Sequence, residues 1–340
     1  MSFYSTTPRA GAVPPLPNLA GTFVDEGYLK LEQLISSDNF IQIYKALDTT
    51  TDTHYSVKCT RTDTPPPSRL TEEFSIHQSV SHQIGVATLN RMFEEDGRTF
   101  MILNPAAGTM GENITKFGMY VDRPDRIKGA FIELVEAVTE CHHAGVYHRD
   151  LRPRNIWCDS RGWGLRLANF GKATRKAESD EFGCGRPAYM SPECADTTRG
   201  SYSPRESDLW ALAVILFNMV TGSNPWRIAD FADASYAAYR SNEDTHFIET
   251  CHLTPAANDF FRRCFASQSE QRPSLEEMAV EVLAIDRFSL AHTFTVHSRG
   301  QVHSALLEVH NVNAPDLRFV DRAKRSITTR ERFAKKVRRA

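Results

Sequence analysis

Two short segments of the chain hold the residue types best suited to chemistry. Residues 148–155 read HRDLRPRN, so the carboxylate of Asp150 stands between two arginines and shortly before Asn155. Farther along, residues 169–171 read NFG. Carboxylates accept protons, and carboxylate and amide oxygens bind hard cations such as Mg²⁺. These segments therefore indicate a site for proton transfer or for a metal ion.

The first segment resembles the catalytic loop of protein kinases, HRDLKPxN, and the second resembles their Asp-Phe-Gly motif. The resemblance implies that Asp150 is the base for the substrate hydroxyl, that Asn155 is a Mg²⁺ ligand, and that Arg152 replaces the usual lysine near the γ-phosphate. Asn169 stands where the family has the aspartate that holds Mg²⁺ against the ATP phosphates. Losing ~4 kcal/mol of metal-mediated stabilisation would slow phosphoryl transfer roughly a thousandfold.

The resemblance extends upstream to a strand lysine and its helix partner. Lys58, at the end of the segment YSVK, matches the lysine that pairs with the ATP phosphates. Glu73 is the expected partner of this lysine, with Glu72 as the alternative. The other positions that we expect at the nucleotide are Ser36, Asp38, Ile41, Ile43, Ser56, Leu103 and Trp157.

The phosphate-binding turn of the family has lost its glycines here. Residues 34–44 read LISSDNFIQIY, and Ser36, Asp38 and Ile41 stand at the glycine positions of GxGxxG. Each replacement adds a Cβ where the backbone must approach phosphate. Asp38 also brings a carboxylate toward the triphosphate, which costs roughly 3 kcal/mol per charge pair at ~5 Å and an effective dielectric constant of ~20.

Two large residues replace smaller ones in the same region, and each has two interpretations. Trp157 stands where the family places a small aliphatic residue beneath adenine, so the indole either fills the adenine position or packs into the core of the large lobe. Arg186 takes the place of a serine or threonine that touches the catalytic aspartate. Its guanidinium either pairs with Asp150 and blocks the base, or points outward into solvent.

Several further positions match residues that support the family's fold rather than its chemistry. Glu193, in the segment SPE, and Arg272 match a buried ion pair, and Asp208 matches a carboxylate that anchors the catalytic loop. The remaining structural positions are His148, Arg149, Phe170, Gly171 and Arg186.

Arg149 meets a phosphate on the activation segment in kinases that share it. Here the segment offers two hydroxyl residues, Thr174 and Ser179, but also an acidic group formed by Glu178, Asp180 and Glu181. We favour a carboxylate in the arginine pocket over a regulatory phosphosite.

The order of predicted elements is that of an α+β protein. Strand patterns over 40–44, 54–58 and 100–103 precede helical patterns over 127–143, 206–221, 256–266 and 275–288, with one earlier helix over 68–81. We therefore expect the bilobed kinase fold, with a β-rich small lobe over 28–104 and a mainly helical large lobe over 105–288. A flexible proline-rich leader is expected over 1–27, and a C-terminal extension over 289–340.

Composition places the chain among ordinary globular proteins that work inside the cell. Of its 340 residues 41% are hydrophobic, the seven cysteines show no CxxC spacing, and no apolar run is long enough to span a bilayer. We expect a cytoplasmic or nuclear protein without membrane contact. Residues 322–340 carry nine Lys/Arg and one Glu, about +8, against −10 for the rest of the chain, so this basic tail has an acidic partner or the nuclear import machinery as candidate contacts.

The sequence thus favours a serine/threonine-kinase-like pseudokinase of fungal type, a scaffold or allosteric regulator that binds neither ATP nor Mg²⁺ productively. Its partners would be proteins, among them an active kinase or that kinase's substrate. The alternative is a slow but active serine/threonine kinase with ATP and Mg²⁺ as cofactors.

Overall fold

A computed structural model describes residues 16–37, 40–62 and 67–290 of the chain. Asp38, residues 1–15 and the basic tail over 322–340 lie outside the described residues, so the expectations for them stay predictions. The described chain forms two compact units, the first from residues up to 78 together with 88–106, and the second from residues 79–87 and the chain after 106.

The first unit is an antiparallel sheet of six strands with one helix. Its elements are β1 (Phe23–Val24), β2 (Leu29–Ser37), β3 (Ile41–Asp48), β4 (Thr53–Arg61), α1 (Pro67–Val80, whose last two residues belong to the second unit), β5 (Leu89–Glu95) and β6 (Arg98–Leu103). The strand order in the sheet is β1-β2-β3-β4-β6-β5. Strands of alternating apolar residues joined by short turns explain this arrangement.

One face of this sheet has its own apolar core. The core is built by side chains that alternate along the strands, namely Leu31, Tyr44, Val57, Cys59, Phe100 and Ile102. Because successive side chains on a strand point to opposite faces, their neighbours in sequence must face the other way.

The folded chain begins earlier than the expected start near Tyr28. Leu16 is buried, its carbonyl oxygen accepts a hydrogen bond from Gln42 Nε2 at 3.0 Å, and the backbone N–H of Leu19 donates to the hydroxyl of Tyr44 at 2.9 Å. The stretch from Leu16 to Val24 therefore covers the apolar face of the sheet. Composition alone pointed to a leader here because prolines and small residues are typical of flexible segments.

The second unit is mainly helical. It contains a small sheet of β7 (Gly108–Thr109), β8 (Ile156–Cys158) and β9 (Arg166–Leu167), and the helices α2 (Met110–Thr115), α3 (Pro124–His143), α4 (Pro192–Ala195), α5 (Pro204–Thr221), α6 (Ala234–Ser241), α7 (His246–Cys251), α8 (Pro255–Cys264) and α9 (Leu275–Ala284). A β-rich first unit and a helical second unit confirm the predicted α+β class.

The centre of the second unit is α5. Residues 207–220 of this helix are all buried, the side chain of Ser203 caps its N-terminus, and Gly222 ends it with a φ of 74°. A helix that is apolar on all sides must lie within a core or a membrane. In the described part of the chain, no helix has the length and apolarity needed to cross a bilayer.

The predicted helices lie within a few residues of the observed ones, with one difference. The helix predicted over 275–288 ends at Ala284, and the chain after it is fixed by backbone hydrogen bonds such as those from Thr254 to Phe288 (2.9 Å) and from Leu290 to His252 (2.8 Å). The apolar residues 285 and 288 extended the helical pattern although they pack from a non-helical backbone.

Candidate functional site

The first unit contains a buried ion pair at the predicted positions. Lys58 Nζ donates to Glu73 Oε1 at 2.5 Å, and both side chains are about 7% exposed. Glu72, the alternative partner, is exposed. Lys58 lies on β4 between Val57 and Cys59, which face the apolar core, so the alternation of the strand directs the ammonium group to the opposite face.

The other predicted nucleotide positions of the first unit lie on the same face as Lys58. Residues directly opposite each other on neighbouring strands share a face. The pairs Ser36–Ile43, Ile43–Lys58 and Ser56–Leu103 follow this rule, and Ile41 is two residues from Ile43 on the same strand. The structure therefore brings together every predicted nucleotide position of the first unit that it describes.

In the second unit, Asp208 shapes the loop at residues 148–155. Its carboxylate accepts the backbone N–H groups of His148 and Arg149, both at 2.8 Å, and contacts His142 Nε2 at 3.0 Å. All four residues are nearly inaccessible to solvent. Arg149 has a φ of 60°, a left-handed conformation that is costly for a branched or long side chain unless its surroundings hold it. Asp208 is thus an anchor for the loop, as its position predicts.

The carboxylate of Asp150 contacts one neutral side chain and one cationic side chain. Asn155 Nδ2 donates both to Asp150 Oδ2 and to the Asp150 carbonyl oxygen at 2.8 Å, and Arg152 Nε lies 3.4 Å from Asp150 Oδ1. The Arg186 side chain is exposed, and no ion pair of Arg186 exists within the described residues. The ion pair between Arg186 and Asp150 is therefore not formed, although both residues line one small pocket, and the outward interpretation stays a prediction. The cation at the carboxylate is Arg152.

Asn169 and Asn155 lie together where the family has two metal ligands. Asn169 Nδ2 donates to Asn155 Oδ1 at 3.3 Å, and Asn169 has a φ of 67°. Mg²⁺ prefers oxygen ligands that converge on one point, of which at least one is a carboxylate. Here the amide oxygen of Asn155 is already an acceptor and its nitrogen faces Asp150. In this arrangement the two side chains present no carboxylate to a metal ion.

The described residues are 16–37, 40–62 and 67–290. They contain no group of three or more His, Cys, Asp or Glu side chains arranged to hold a metal ion.

The ring of Phe170 packs on the catalytic-loop histidine. The ring centroids of His148 and Phe170 are 4.9 Å apart, and His148 Nε2 lies 3.1 Å from the Ala168 carbonyl oxygen. Gly171 follows Phe170 and is half-buried. These contacts keep residues 168–171 beside residues 148–150.

Trp157 lies on β8 between Ile156 and Cys158, which are buried, whereas Trp157 is partly buried. The alternation of a strand favours an indole on the face opposite Ile156 and Cys158. Both interpretations of Trp157 stay predictions.

Arg149 binds a carboxylate of the activation segment. Its Nε donates to the Lys172 carbonyl oxygen (2.6 Å) and its two terminal nitrogens to Ser179 Oγ (3.0 Å) and Glu181 Oε2 (2.9 Å). Ser179 and Thr174 are only 1% and 5% exposed, so neither hydroxyl is open to a modifying enzyme. Among the three acidic candidates, Glu181 is the residue at the arginine, in agreement with the favoured carboxylate interpretation.

Glu193 and Arg272 form a bidentate ion pair. Arg272 NH1 and NH2 donate to Glu193 Oε1 and Oε2 at 2.5 and 2.8 Å, and both side chains are at most 5% exposed. Arg272 also lies over the Trp210 ring at 4.9 Å. Burial alone would raise the pKa of Glu193, but the hydrogen bonds and charge of Arg272 lower it below its ordinary value of 4.5.

Two functional positions escaped the sequence analysis. Gly185 has a φ of 95°, and a Cβ there would lie 2.7 Å from the Arg149 carbonyl oxygen and 3.4 Å from Asp150 Oδ1, so only glycine fits beside the loop. His142 was missed because a helix histidine gives no signal until Asp208 is found next to it. For Gly185, the available signal in the sequence was a glycine directly before Arg186.

Comparison with known proteins agrees with this geometry. A family model described as the protein kinase domain matches residues 29–283. A negative regulator of sexual conjugation and meiosis from Schizosaccharomyces pombe is 30% identical over 279 residues, 75% of this chain and 59% of the relative. The serine/threonine-protein kinase ksp1 of the same organism is 28% identical, over 70% of this chain and 52% of the relative.

One similar protein is named as inactive. The mouse (Mus musculus) inactive serine/threonine-protein kinase PLK5 is 24% identical to the chain, over 72% of this chain and 41% of the relative. With coverages of 59%, 52% and 41%, the chain spans about half the length of these relatives.

Proposed function

This chain belongs to the protein kinase family, and we propose that it is a pseudokinase, which acts as a scaffold or allosteric regulator of a protein partner in intracellular signalling. The observation that carries the proposal is the contact between the Asn169 and Asn155 amides at 3.3 Å. Two neutral amides bonded to each other supply no negative charge for Mg²⁺ beside the ATP phosphates, where the family has a carboxylate.

The phosphate-binding turn supports the same proposal. Ser36 and Ile41, at former glycine positions, lie in paired strands on the face that carries Lys58. Side chains on both strands of the turn hinder the close approach of backbone N–H groups to phosphate. The two changes weaken the same step, so correcting one of them leaves the other in place.

The second candidate function is a slow serine/threonine kinase. Its support is the pair of Lys58 and Glu73 and the ordered loop around Asp150, which are parts that an active enzyme needs. The names of two similar proteins also differ in activity, because ksp1 is named a serine/threonine-protein kinase and PLK5 is named inactive.

Binding of the nucleotide separates the two candidates. We expect 5 mM Mg-ATP to raise the melting temperature of the full chain by less than about one degree. An active kinase saturated at 100 times its dissociation constant would gain ~2.7 kcal/mol, which corresponds to several degrees. The same titration with ATP and EDTA shows whether any shift depends on Mg²⁺, and a shift of several degrees with Mg-ATP alone would favour the active enzyme.

A phosphotransfer assay gives the second discrimination. Incorporation of labelled phosphate from ATP into the chain and into a generic basic protein is expected to be the same for the natural chain and for Asp150→Asn. A signal that Asp150→Asn abolishes would identify a genuine catalytic base and contradict the proposal.

The location and the partner are also proposed rather than tested. We place the protein in the cytoplasm or nucleus, where the basic residues over 322–340 would meet an acidic partner or the import machinery. A fluorescent fusion of the full chain, compared with a chain in which these arginines and lysines are replaced by glutamine, tests this placement.

A further inference from the structure

The second unit contains a pocket that lies apart from the site described above. It is lined by Asp122, Arg123, Pro124, Ile127, Val220, Arg287, Phe288 and Ser289 and has a volume of about 70 Å³. Ile127, Val220 and Phe288 are buried and form its apolar floor. A space of this size takes a single branched aliphatic side chain.

Two arginines stand at the mouth of the pocket. Arg123 and Arg287 are exposed, and no carboxylate of the described residues forms an ion pair with either guanidinium. Other arginines of the described residues do pair with an acid, as Arg199 does with Asp196 at 3.3 Å. A planar guanidinium binds a carboxylate through two parallel hydrogen bonds, so two of them beside an apolar floor form a combination suited to an acidic and aliphatic ligand.

The backbone that carries both arginines is fixed. Arg123 is the residue before α3, and its carbonyl oxygen accepts the Ile127 N–H at 3.0 Å. The Arg287 carbonyl oxygen accepts the hydroxyl of Thr254 at 2.8 Å, and that of Phe288 accepts the Thr254 N–H at 2.9 Å. A pocket whose walls are already held in place costs less conformational entropy on binding.

An exposed leucine and two aspartates lie at or next to the pocket. Leu290 is 60% exposed and directly follows the lining residue Ser289, so an apolar side chain is available outside the floor. Asp122 lines the pocket and Asp125 lies in the first turn of α3. These two carboxylates offset part of the charge of the arginines, so a polyanion such as nucleic acid or polyphosphate is disfavoured more strongly than a ligand with a single carboxylate.

We propose that this pocket is a docking site for a protein partner, which inserts a leucine-like side chain over Ile127, Val220 and Phe288 and places a neighbouring aspartate or glutamate between Arg123 and Arg287. The inference rests on the proposed function, because a scaffold needs a surface that binds its partner. The docking itself needs neither ATP nor the residues around Asp150.

A defined peptide tests the proposal on the full chain. The probe is a fluorescein-labelled hexapeptide with two adjacent leucines flanked by glutamates, and its control has lysines in place of the glutamates. Anisotropy should show saturable binding of the acidic probe below about 1 mM and none of the basic one. Raising the salt concentration from 50 to 500 mM should weaken binding severalfold because the contacts at the mouth are exposed.

Surface variants locate the binding. Arg123→Glu and Arg287→Glu should each weaken the acidic probe at least about tenfold, since each converts an attraction into a repulsion. Lys172→Glu is the matched control, because Lys172 is an exposed cation of the same unit outside the pocket, and it should change the affinity less than about twofold. Unchanged melting temperatures would show that all three variants fold.

Three outcomes would overturn the proposal. They are the absence of saturable binding to the full chain, equal binding by the two pocket variants and the control, and a dimer of the full chain that Arg287→Glu dissociates, which would assign the pocket to a second copy. Loss of binding in the pocket variants together with an Asp150-dependent phosphotransfer signal would leave the docking site intact while the pseudokinase function fails.

Discussion

At the scale of single residues, the second unit keeps the arrangement of the kinase catalytic loop but has an amide instead of a carboxylate at residue 169. Asn155 still binds Asp150, and Asn169 still adopts the left-handed conformation that its position requires, with a φ of 67°. Asparagine and aspartate are among the few residues other than glycine that tolerate this conformation. Exchanging one for the other therefore changes the charge and leaves the backbone in place.

The variant Asn169→Asp isolates the missing charge. We expect it to fold normally but not to restore phosphoryl transfer, because Ser36, Asp38 and Ile41 still obstruct the phosphates. Autophosphorylation with labelled ATP is the measurement. Activity should need Ser36→Gly, Asp38→Gly, Ile41→Gly and Trp157→Leu in addition, and a clear signal from the single variant would mean that the metal ligand was the main defect.

The pair of Glu193 and Arg272 predicts how stability depends on pH. Arg272 lowers the pKa of Glu193 below 4.5, so the folded state binds this proton less readily than the unfolded state. The stabilisation is fully present above about pH 4.5 and is lost as the pH falls through the lower pKa of the folded state. Urea unfolding between pH 6 and pH 3 should show a smaller loss of stability for Glu193→Gln than for the natural chain. An equal loss would place the acid sensitivity elsewhere.

At the scale of elements, the activation segment is fixed by one buried arginine. Arg149 binds Lys172, Ser179 and Glu181, and the N–H of Ser179 donates to the carbonyl oxygen of Tyr202 at 2.9 Å. The carboxylate of Glu181 takes the place that a phosphate would occupy, so the segment is ordered without modification. A scaffold with a permanently shaped surface is consistent with this arrangement.

Glu181→Gln should loosen this segment. The carboxylate of Glu181 is 42% exposed, so its ion pair is worth at most ~1 kcal/mol, and amide hydrogen exchange over 176–184 should rise up to about fivefold. Glu178→Gln is the matched control, because Glu178 accepts a hydrogen bond from the Ser201 hydroxyl and not from Arg149. Similar exchange in both variants would show that Glu181 does not hold the segment.

At the scale of the whole molecule, the parts that build the fold are more complete than the parts that perform the chemistry. The anchor Asp208, the pair of Glu193 and Arg272, and the buried helix α5 are all in place. Removing one partner of a buried ion pair costs ~3–5 kcal/mol, a large part of the ~5–15 kcal/mol that stabilises a typical protein. Function through binding needs this framework, whereas it does not need the base.

Two variants compared in cells distinguish binding from chemistry. Arg272→Ala should lower the abundance of the protein and abolish its function because the fold is destabilised. Asp150→Asn should leave abundance and function nearly unchanged, since a side chain of almost the same shape still accepts the hydrogen bond from Asn155. Abundance by immunoblot and one shared phenotype are the measurements. Loss of function in Asp150→Asn at normal abundance would show that the chemistry is needed.

The sequence by itself determined the fold class and the positions of the long helices, and it pointed to side chains that the structure brings together, such as Glu193 and Arg272, because apolar periodicity and fixed motif spacing are local properties. It also favoured Glu73 over Glu72 as the partner of Lys58. The tertiary structure decided the rest. Only the packed chain could show that Glu181 rather than its acidic neighbours reaches Arg149, that Arg186 forms no ion pair with Asp150, and that the stretch from Leu16 covers the sheet. Each of these depends on which side chain a folded backbone directs toward a distant residue, and composition and spacing carry no information on that direction.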